Sequence, residues 1–257
     1  MGEDISRRTA IKCAAAITGT LVLGSAARGQ DTAAPPADDL ARIQALLEGN
    51  QAVKWVFAGD SITHGARHTS GWRDYPQLFE ERLRYEMGKE RNLVIRTATS
   101  GWTIERLSED LEWRVLQFAP QVASFHFGMN DCKKGTEALP RFRELYSDIV
   151  RRVREGCGAA ILIHTPNPVL PDSEKDRGPY IDAYVGAIRE VAAQTSAILI
   201  DHYAAYAEYE QNSDIYYLMN DPLHPNEYGH RFKATLLFKA LGIYDPESAV
   251  CRLFIPR

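Results

Sequence analysis

Short apolar runs alternate along the chain with segments whose apolar residues recur at helical spacing. The apolar runs predict strands at residues 53–58, 93–97, 122–127, 159–164 and 197–200. The helical spacing predicts helices at residues 75–87, 104–118, 139–154, 181–194 and 225–241. Because strand-to-helix alternation joins parallel strands by crossovers, the pattern predicts an α/β domain with a five-stranded parallel sheet and helices on both faces.

The first thirty residues have a different pattern. Arg7 and Arg8 precede an apolar stretch without charges at residues 13–27, and small and polar residues follow. This order predicts an export signal peptide over residues 1–30 that is similar to the twin-arginine type, with Ala10 where such signals usually carry an aromatic residue. An uncleaved N-terminal membrane anchor is the alternative, although the stretch is short for a membrane span.

A stretch rich in proline and alanine follows the predicted signal. We interpret residues 31–45 as a linker and residues 46–257 as one domain. The mature chain is then predicted to have no stable membrane span and to be periplasmic or secreted from a bacterium.

Composition and charge narrow the functional classes. A chain of 257 residues that is 45% hydrophobic can bury a sizeable core in one domain. Its formal net charge of −4 offers no basic surface for a nucleic-acid partner. Cys132, Cys157 and Cys251 lack the spacing of a metal site and leave a disulfide and buried free thiols equally open.

Candidate chemistry lies where the predicted strands end. Ser61 follows the first strand, Gly101 the second and Asn130 the third, while Asp221 and His224 come just before the last helix. Ligands of open parallel sheets bind at the carboxyl ends of the strands, so these residues are expected on one edge.

A serine hydroxyl needs a base to become a good nucleophile, and that base works best when a third group fixes its tautomer. Ser61, His224 and Asp221 are therefore predicted as nucleophile, base and orienting carboxylate. Taken alone, each motif is typical of an ordinary turn. Their common place at one sheet edge favours a catalytic site, and the absence of a Gly-x-Ser-x-Gly sequence disfavours the α/β-hydrolase fold.

Four sequence blocks, taken in order, carry a family resemblance. These blocks are Gly59-Asp60-Ser61, Gly101, Gly128-Met129-Asn130-Asp131 and Asp221-Pro222-Leu223-His224. Together they resemble the blocks of the SGNH hydrolases, also called GDSL esterases and lipases. The resemblance spans almost all of the predicted domain and implies a three-layer, flavodoxin-like fold and ester hydrolysis.

The resemblance also implies roles for individual residues. Ser61, Asp221 and His224 would form the catalytic triad. The backbone N–H groups of Ser61 and Gly101 and the side-chain amide of Asn130 would bind the oxyanion. No metal or cofactor is implied, and no chemical step falls to Asp60.

The remaining histidines and two tryptophans have more ordinary interpretations. We interpret as structural or surface residues His64, His68, His126, His164, His202 and His230. Those within strands, His126 and His164, are expected to be core residues with satisfied hydrogen bonds. Trp72 and Trp102 either stack on a substrate or pack in the core, and the loop at residues 165–179 either walls the pocket or is a solvated connection.

The predicted function is an exported serine esterase for short acyl groups such as acetyl, with a small-molecule or glycan ester as substrate. No long apolar insertion suggests a deep acyl tunnel. Two alternatives stay open: a lipase or acyltransferase acting on lipids, and a glycan-binding relative without catalysis.

Overall fold

The computed structural model describes residues 38–170 and 175–257. The predicted signal peptide at residues 1–30 lies outside the described residues. The five strands are β1 (Lys54–Gly59), β2 (Leu93–Arg96), β3 (Val122–His126), β4 (Ala160–His164) and β5 (Ile198–Ile200). All neighbouring strands are parallel, in the order β2-β1-β3-β4-β5. This confirms the predicted five-stranded parallel sheet and its flavodoxin-like order.

Helices cover both faces of the sheet, as predicted. They are α1 (Asp39–Glu48), α2 (Ser61–His64), α3 (Tyr75–Glu81), α4 (Ile104–Glu109), α5 (Leu111–Arg114), α6 (Leu139–Cys157), α7 (Ile181–Gln194), α8 (His202–Glu210) and α9 (Glu227–Ala240). The layers result from strand alternation, because successive side chains point to opposite faces. Thus Val56 and Ala58 of β1 pack in a core with α4, α6 and α7, whereas Trp55 and Phe57 pack in a second core with α1, α3 and α9.

The predicted linker extends too far, because helix α1 occupies part of residues 31–45. Asp38 caps this helix by accepting a hydrogen bond from Ala41 N at 2.9 Å, and Ile43 is fully buried in the second core. The buried carboxylate of Asp39 accepts hydrogen bonds from Ile161 N at 3.0 Å and from Arg154 at 2.5 Å. The folded domain therefore includes residues before 46.

Other helices differ from prediction at their ends. The segment predicted as one helix at 104–118 is divided at Asp110 into α4 and α5, and a 3₁₀ turn follows at Leu116–Phe118. Helix α3 continues as a π-helical turn at Arg82–Glu86. Helix α9 starts at Glu227 rather than Pro225, because the Asn226 side chain accepts from the backbone N–H groups of the first turn and acts as the cap.

The part of the chain that the structure describes shows the state of three cysteines and the character of the helices. Cys132, Cys157 and Cys251 are free thiols there. Among the described helices, none has the length and apolar character needed to cross a bilayer.

Candidate active site

Ser61 lies in the first turn of the short helix α2, directly after β1. Asp60 caps this helix, since its carboxylate accepts from Ile62 N at 2.9 Å. Gly59 permits the close approach of strand and helix, because an added Cβ would lie 2.4 Å from Thr63 Oγ1 and 3.0 Å from the carbonyl oxygen of His126. The seryl hydroxyl is thus held above the end of a central strand.

Asp221 and His224 lie on a tight loop that precedes α9. The Asp221 carboxylate accepts from the backbone N–H groups of Leu223 at 2.9 Å and His224 at 3.0 Å. The backbone of Asn220 closes the loop by donating to the carbonyl of His224 at 2.8 Å. Pro222 follows Asp221 and Pro225 follows His224, and each restricts the backbone of the loop.

The three predicted triad residues form one hydrogen-bonded chain. Ser61 Oγ lies 2.8 Å from His224 Nε2. On the other side of the ring, His224 Nδ1 lies 2.8 and 2.9 Å from the two carboxylate oxygens of Asp221. Partial burial disfavours the ionised carboxylate, but hydrogen bonds from Leu223 N and the His224 side chain outweigh it and hold the pKa of Asp221 below its ordinary value. This arrangement allows the imidazole to accept the seryl proton.

Besides Ser61 in α2, the predicted oxyanion donors Gly101 and Asn130 lie on two neighbouring loops. Gly101 has a φ of +80°, which favours glycine, although a Cβ would meet no atom within 4 Å. The amide of Asn130 donates through Nδ2 to the carbonyl of Trp102 at 3.0 Å, which uses one of its two N–H bonds. Its Oδ1 lies 3.4 Å from Arg177, so the two contacts fix the orientation of the amide.

A buried carboxylate joins the loops that carry Gly101 and Asn130. Asp131 accepts hydrogen bonds from Ile104 N at 2.8 Å and Gly128 N at 3.0 Å. Burial outweighs these contacts and raises the pKa of Asp131 to about 6. Asp131 therefore connects two loops of the site through hydrogen bonds.

His68 is a site residue that the sequence analysis missed. Its ring stacks on that of His224 with centroids 3.5 Å apart and planes 3° from parallel. Its Nδ1 lies 3.2 Å from Asp221 Oδ2. The expectation of a structural or surface residue did not include these contacts, because no spacing in the sequence connects His68 to the Asp-His loop.

His68, Asp221 and His224 also form, within the described residues, a group whose potential metal-ligating atoms lie within 4.8 Å of one another. The stacking argues against a shared metal ion, because an imidazole nitrogen coordinates in the plane of its ring. An ion in the plane of one ring would lie well outside the plane of the other. The arrangement suits hydrogen bonding to a common carboxylate better.

An open cavity of about 600 Å³ lies beside α2 and is lined by Thr63 and His64 of that helix. Trp72, which also lines it, is 57% exposed. Trp102, by contrast, is half-buried against the core, with the Arg114 guanidinium 4.5 Å from its ring centre. Trp72 is thus the more exposed of the two tryptophans, with the Arg231 guanidinium 6.0 Å from its ring centre.

The loop predicted at residues 165–179 is connected to the site on both sides. Asn167 donates to the carbonyl of Leu223 at 2.9 Å, beside the triad histidine. Arg177 donates to the carbonyl of Met129 at 3.0 Å, beside the predicted oxyanion residue. The described part of this loop therefore supports the site residues.

Four histidines are fully buried behind α2, and Lys233 of α9 is buried with them. This buried cluster comprises His126, His164, His202, His230 and Lys233. Hydrogen bonds satisfy His164, which contacts Ser124 Oγ and His202 Nε2, each at 2.9 Å. His126 was expected to be satisfied as well, but neither of its ring nitrogens has a hydrogen-bond partner among the described residues.

Burial changes the acid-base properties of this cluster. Burial, together with repulsion by Lys233, lowers the pKa values of His164 and His230 to about 3. It also lowers the pKa of Lys233 itself, against the attraction of Asp60. Asp60 is equally buried, and the pKa of its carboxyl is raised to about 7.

Comparison with known proteins gives a family model, a relative in sequence and several solved structures. The model of the GDSL-like Lipase/Acylhydrolase family matches residues 57–232. In sequence, the chain is 24% identical over 185 residues to an uncharacterized protein of Mycoplasma pneumoniae; the match covers 69% of this chain and 21% of that protein. The chain thus spans about a fifth of the length of this curated relative.

Solved structures share the fold. LAE5, an α/β hydrolase enzyme from the metagenome of Lake Arreo in Spain, has 22% identity and a TM-score of 0.66, with 77% of this chain and 99% of that chain covered. Axe2, an acetylxylan esterase from Geobacillus stearothermophilus, has 21% identity and a TM-score of 0.65, with 75% and 95% covered. The match of the family model over most of the chain agrees with the resemblance found in the sequence blocks. The chain belongs to the GDSL-like lipase/acylhydrolase family, whose members are carboxylic ester hydrolases.

Proposed function

We propose that the chain is an exported serine esterase that removes short acyl groups, above all acetyl, from carbohydrate esters. The observation that carries the proposal is the continuous contact from Ser61 Oγ through His224 to the Asp221 carboxylate, with 2.8 Å at both junctions. The proposed triad roles of Ser61, Asp221 and His224 rest on this contact. The proposed roles of Ser61, Gly101 and Asn130 as oxyanion donors rest on the chemistry of each group and on the sequence blocks.

In the proposed first half-reaction, Ser61 Oγ attacks the ester carbonyl carbon while its proton moves to His224 Nε2. The carbonyl oxygen becomes an oxyanion that the backbone N–H groups of Ser61 and Gly101 and the amide of Asn130 stabilise. Collapse breaks the carbon–oxygen bond to the alcohol, which takes the proton from His224 and leaves an acyl group on Ser61. Asp221 stabilises the imidazolium between these steps.

In the second half-reaction a water molecule replaces the alcohol. His224 accepts a proton from the water as its oxygen attacks the acyl carbon, and then returns the proton to Ser61 Oγ. The products are a carboxylic acid and the free enzyme.

The cavity beside α2 supports a polar alcohol as the second part of the substrate. Asp74, Gln77 and Arg96 contribute to its walls. Trp72 adds an exposed ring, which suits contact with the apolar side of a sugar ring. An apolar lipid alcohol would require aliphatic walls instead, so these residues favour a hydroxyl-rich alcohol over a lipid. The acetylxylan esterase among the similar structures suggests the same class of substrate.

Hydrolysis of p-nitrophenyl esters from acetate to palmitate tests the proposal. We expect activity on acetate and butyrate that falls with chain length, and its loss by roughly 10⁴-fold or more in Ser61→Ala. Ser213→Ala, on the loop after α8, is the matched control and should retain wild-type turnover. Activity that rises with chain length would instead indicate a lipase.

A second series distinguishes the glycan proposal from a general esterase. We expect acetylated xylo-oligosaccharides to give a higher kcat/KM than p-nitrophenyl acetate. Saturable binding of these glycans without ester turnover would favour a binding protein. For export, the wild-type protein should be found outside the cytoplasm, and the variant with Arg7 and Arg8 changed to Lys should stay in the cytoplasm.

A further inference from the structure

His68 lies against the catalytic base that the proposed function assigns. It belongs to the turn after α2, where its backbone N–H donates to the carbonyl of Gly65 at 3.0 Å. The turn brings the face of its ring onto the face of His224, with 3.5 Å between the ring centres. His68 therefore restricts the position of the His224 ring along the direction that its hydrogen bonds leave open.

His68 also shares the carboxylate that orients His224. An ionised carboxylate can only accept hydrogen bonds, so His68 Nδ1 must carry the proton in the 3.2 Å contact with Asp221 Oδ2. Both carboxylate oxygens are already within 2.9 Å of His224 Nδ1. The extra donor fixes the plane of the carboxylate, and the plane of the carboxylate directs the His224 ring towards Ser61.

The charges around His68 determine which of its forms is compatible with this arrangement. The groups that face it are His224 and Asp221 on the Asp-His loop, His230 on α9 and Arg67 in its own turn. Burial lowers the pKa of His68, and His224 and Arg67 lower it further, against the opposing effect of Asp221. A neutral His68 presents a polarizable ring face to the imidazolium that His224 becomes, whereas a charged His68 would repel it at 3.5 Å.

We infer that His68 is a positioning residue that acts through two contacts, stacking on His224 and hydrogen bonding to Asp221, to hold the base in line with Ser61. The inference rests on the proposed esterase function and deepens it. Because His68 acts before and during proton transfer rather than on the substrate, its loss should change kcat more than KM.

Two substitutions separate the two contacts. His68→Phe keeps a flat ring for stacking but has no donor for Asp221, while His68→Asn keeps an N–H donor but loses most of the ring face. We expect each to lower kcat for p-nitrophenyl acetate about tenfold, with KM changed less than about twofold. If kcat falls in only one variant, the inference is supported, and the positioning effect is assigned to the contact that this variant lacks.

The pH profile adds a measurement that a merely structural role would not change. In the wild type two stacked rings must be neutral for turnover, so log kcat/KM on the acid side should approach a slope of two. Either variant leaves one such ring, and the slope should approach one. Ser213→Ala, the control of the esterase assay, should keep the wild-type kcat and slope.

The possible failures are distinguishable. Wild-type kcat and acid slope in both folded variants would overturn the inference while leaving the esterase assignment intact. A raised KM with unchanged kcat would overturn it in favour of a substrate contact. If the folded wild type hydrolyses no ester and Ser61 is not labelled by a fluorophosphonate, the proposed function fails and this inference fails with it. Thermal melting of each variant shows whether it is folded.

Discussion

At the scale of single residues, Asn130 shows how the site orients a polar group. Its Nδ2 is held by the carbonyl of Trp102 at 3.0 Å and its Oδ1 lies 3.4 Å from Arg177. A rotated amide would place like groups against each other at both ends. The donor end is therefore fixed before any substrate binds, which is the condition for effective stabilisation of an oxyanion.

We expect Asn130→Ala to lower kcat by roughly 10²–10³, because removal of one oxyanion donor typically costs that much. KM and the melting temperature should change little, since the amide is expected to act mainly in the transition state. Steady-state kinetics on p-nitrophenyl acetate provides the measurement, with Asn212→Ala on the loop after α8 as control. A kcat within about threefold of the wild type would exclude Asn130 from the oxyanion site.

The sequence predicts the candidate site residues that directly follow a strand. Ser61, Gly101 and Asn130 each follow an apolar run, and parallel topology brings such positions together. His68 carries no comparable signal, because its contacts arise from the way a turn folds back onto a loop far along the chain. Pairings of that kind depend on tertiary packing, which periodicity does not report.

At the scale of elements, the close packing of α2 on β1 determines where the nucleophile lies. The space at Gly59 is smaller than a methyl group, since a Cβ would lie 2.8 Å from Thr63 Cβ. Any larger residue must move the helix that carries Ser61. Stability and nucleophile position are thus linked at one backbone position.

We expect Gly59→Ala to destabilise the fold by about 1–3 kcal/mol, the usual effect of overpacking, and to lower kcat as well. Gly186→Ala is the matched control, because a Cβ at this position of α7 meets nothing within 4 Å. That control should stabilise the protein by about 0.4–1 kcal/mol. Urea unfolding and ester turnover, measured on both variants, check the prediction; equal stability of the two would contradict it.

The elements that differ from prediction have identifiable causes. Helix α1 carries Ile43 and Leu47 at helical spacing, and its signal was overlooked because the proline-rich stretch before it suggested a longer linker. Helix α8 is not predicted, because its tyrosines and alanines are mixed with charged residues and give no clear apolar face. The predicted single helix is interrupted at Asp110, where φ is −111° and ψ is 20°, and aspartate is among the residues that disfavour a helix interior.

At the scale of the whole molecule, the buried cluster makes stability depend on pH. His164 and His230 titrate at about 3 in the folded state and near 6.5 when exposed, and burial also lowers the pKa values of His126 and His202 well below 6.5. Between these values the unfolded chain binds protons that the folded chain excludes. The stability that these histidines contribute is therefore complete above about pH 6.5 and is lost as the pH falls towards 3.

Two buried carboxyl groups have the opposite effect on the pH dependence of stability. Asp60 and Asp131 titrate at about 7 and about 6 in the folded state, above the ordinary value of 3.8. Their contribution is complete below pH 3.8 and is lost as the pH rises through these folded values. Four histidines outweigh two carboxyl groups, so the net effect of acidification is loss of stability.

We expect the free energy of unfolding to fall by several kcal/mol between pH 7 and pH 5, at about 1.4 kcal/mol per pH unit for each net proton. His126→Phe removes one buried titrating ring and should reduce this fall, whatever its effect at pH 7. His64→Phe, which replaces an exposed histidine, should leave the fall unchanged. Urea unfolding at both pH values is the measurement, and a pH-independent wild type would contradict the prediction.

The loop that carries Asp221 and His224 has a consequence for how this site could be rebuilt. Its acid and base are held together by hydrogen bonds within one short segment, whereas the nucleophile is reached by a single 2.8 Å contact across 163 positions of the chain. For engineering, Asp221 and His224 could be transferred together as one short segment, whereas Ser61 could not be transferred with them. A graft of residues 220–226 onto another parallel sheet would carry the contacts between Asp221 and His224. The host would have to supply a hydroxyl at the right strand end and counterparts of His68 and Asn167, which contact this segment from outside it.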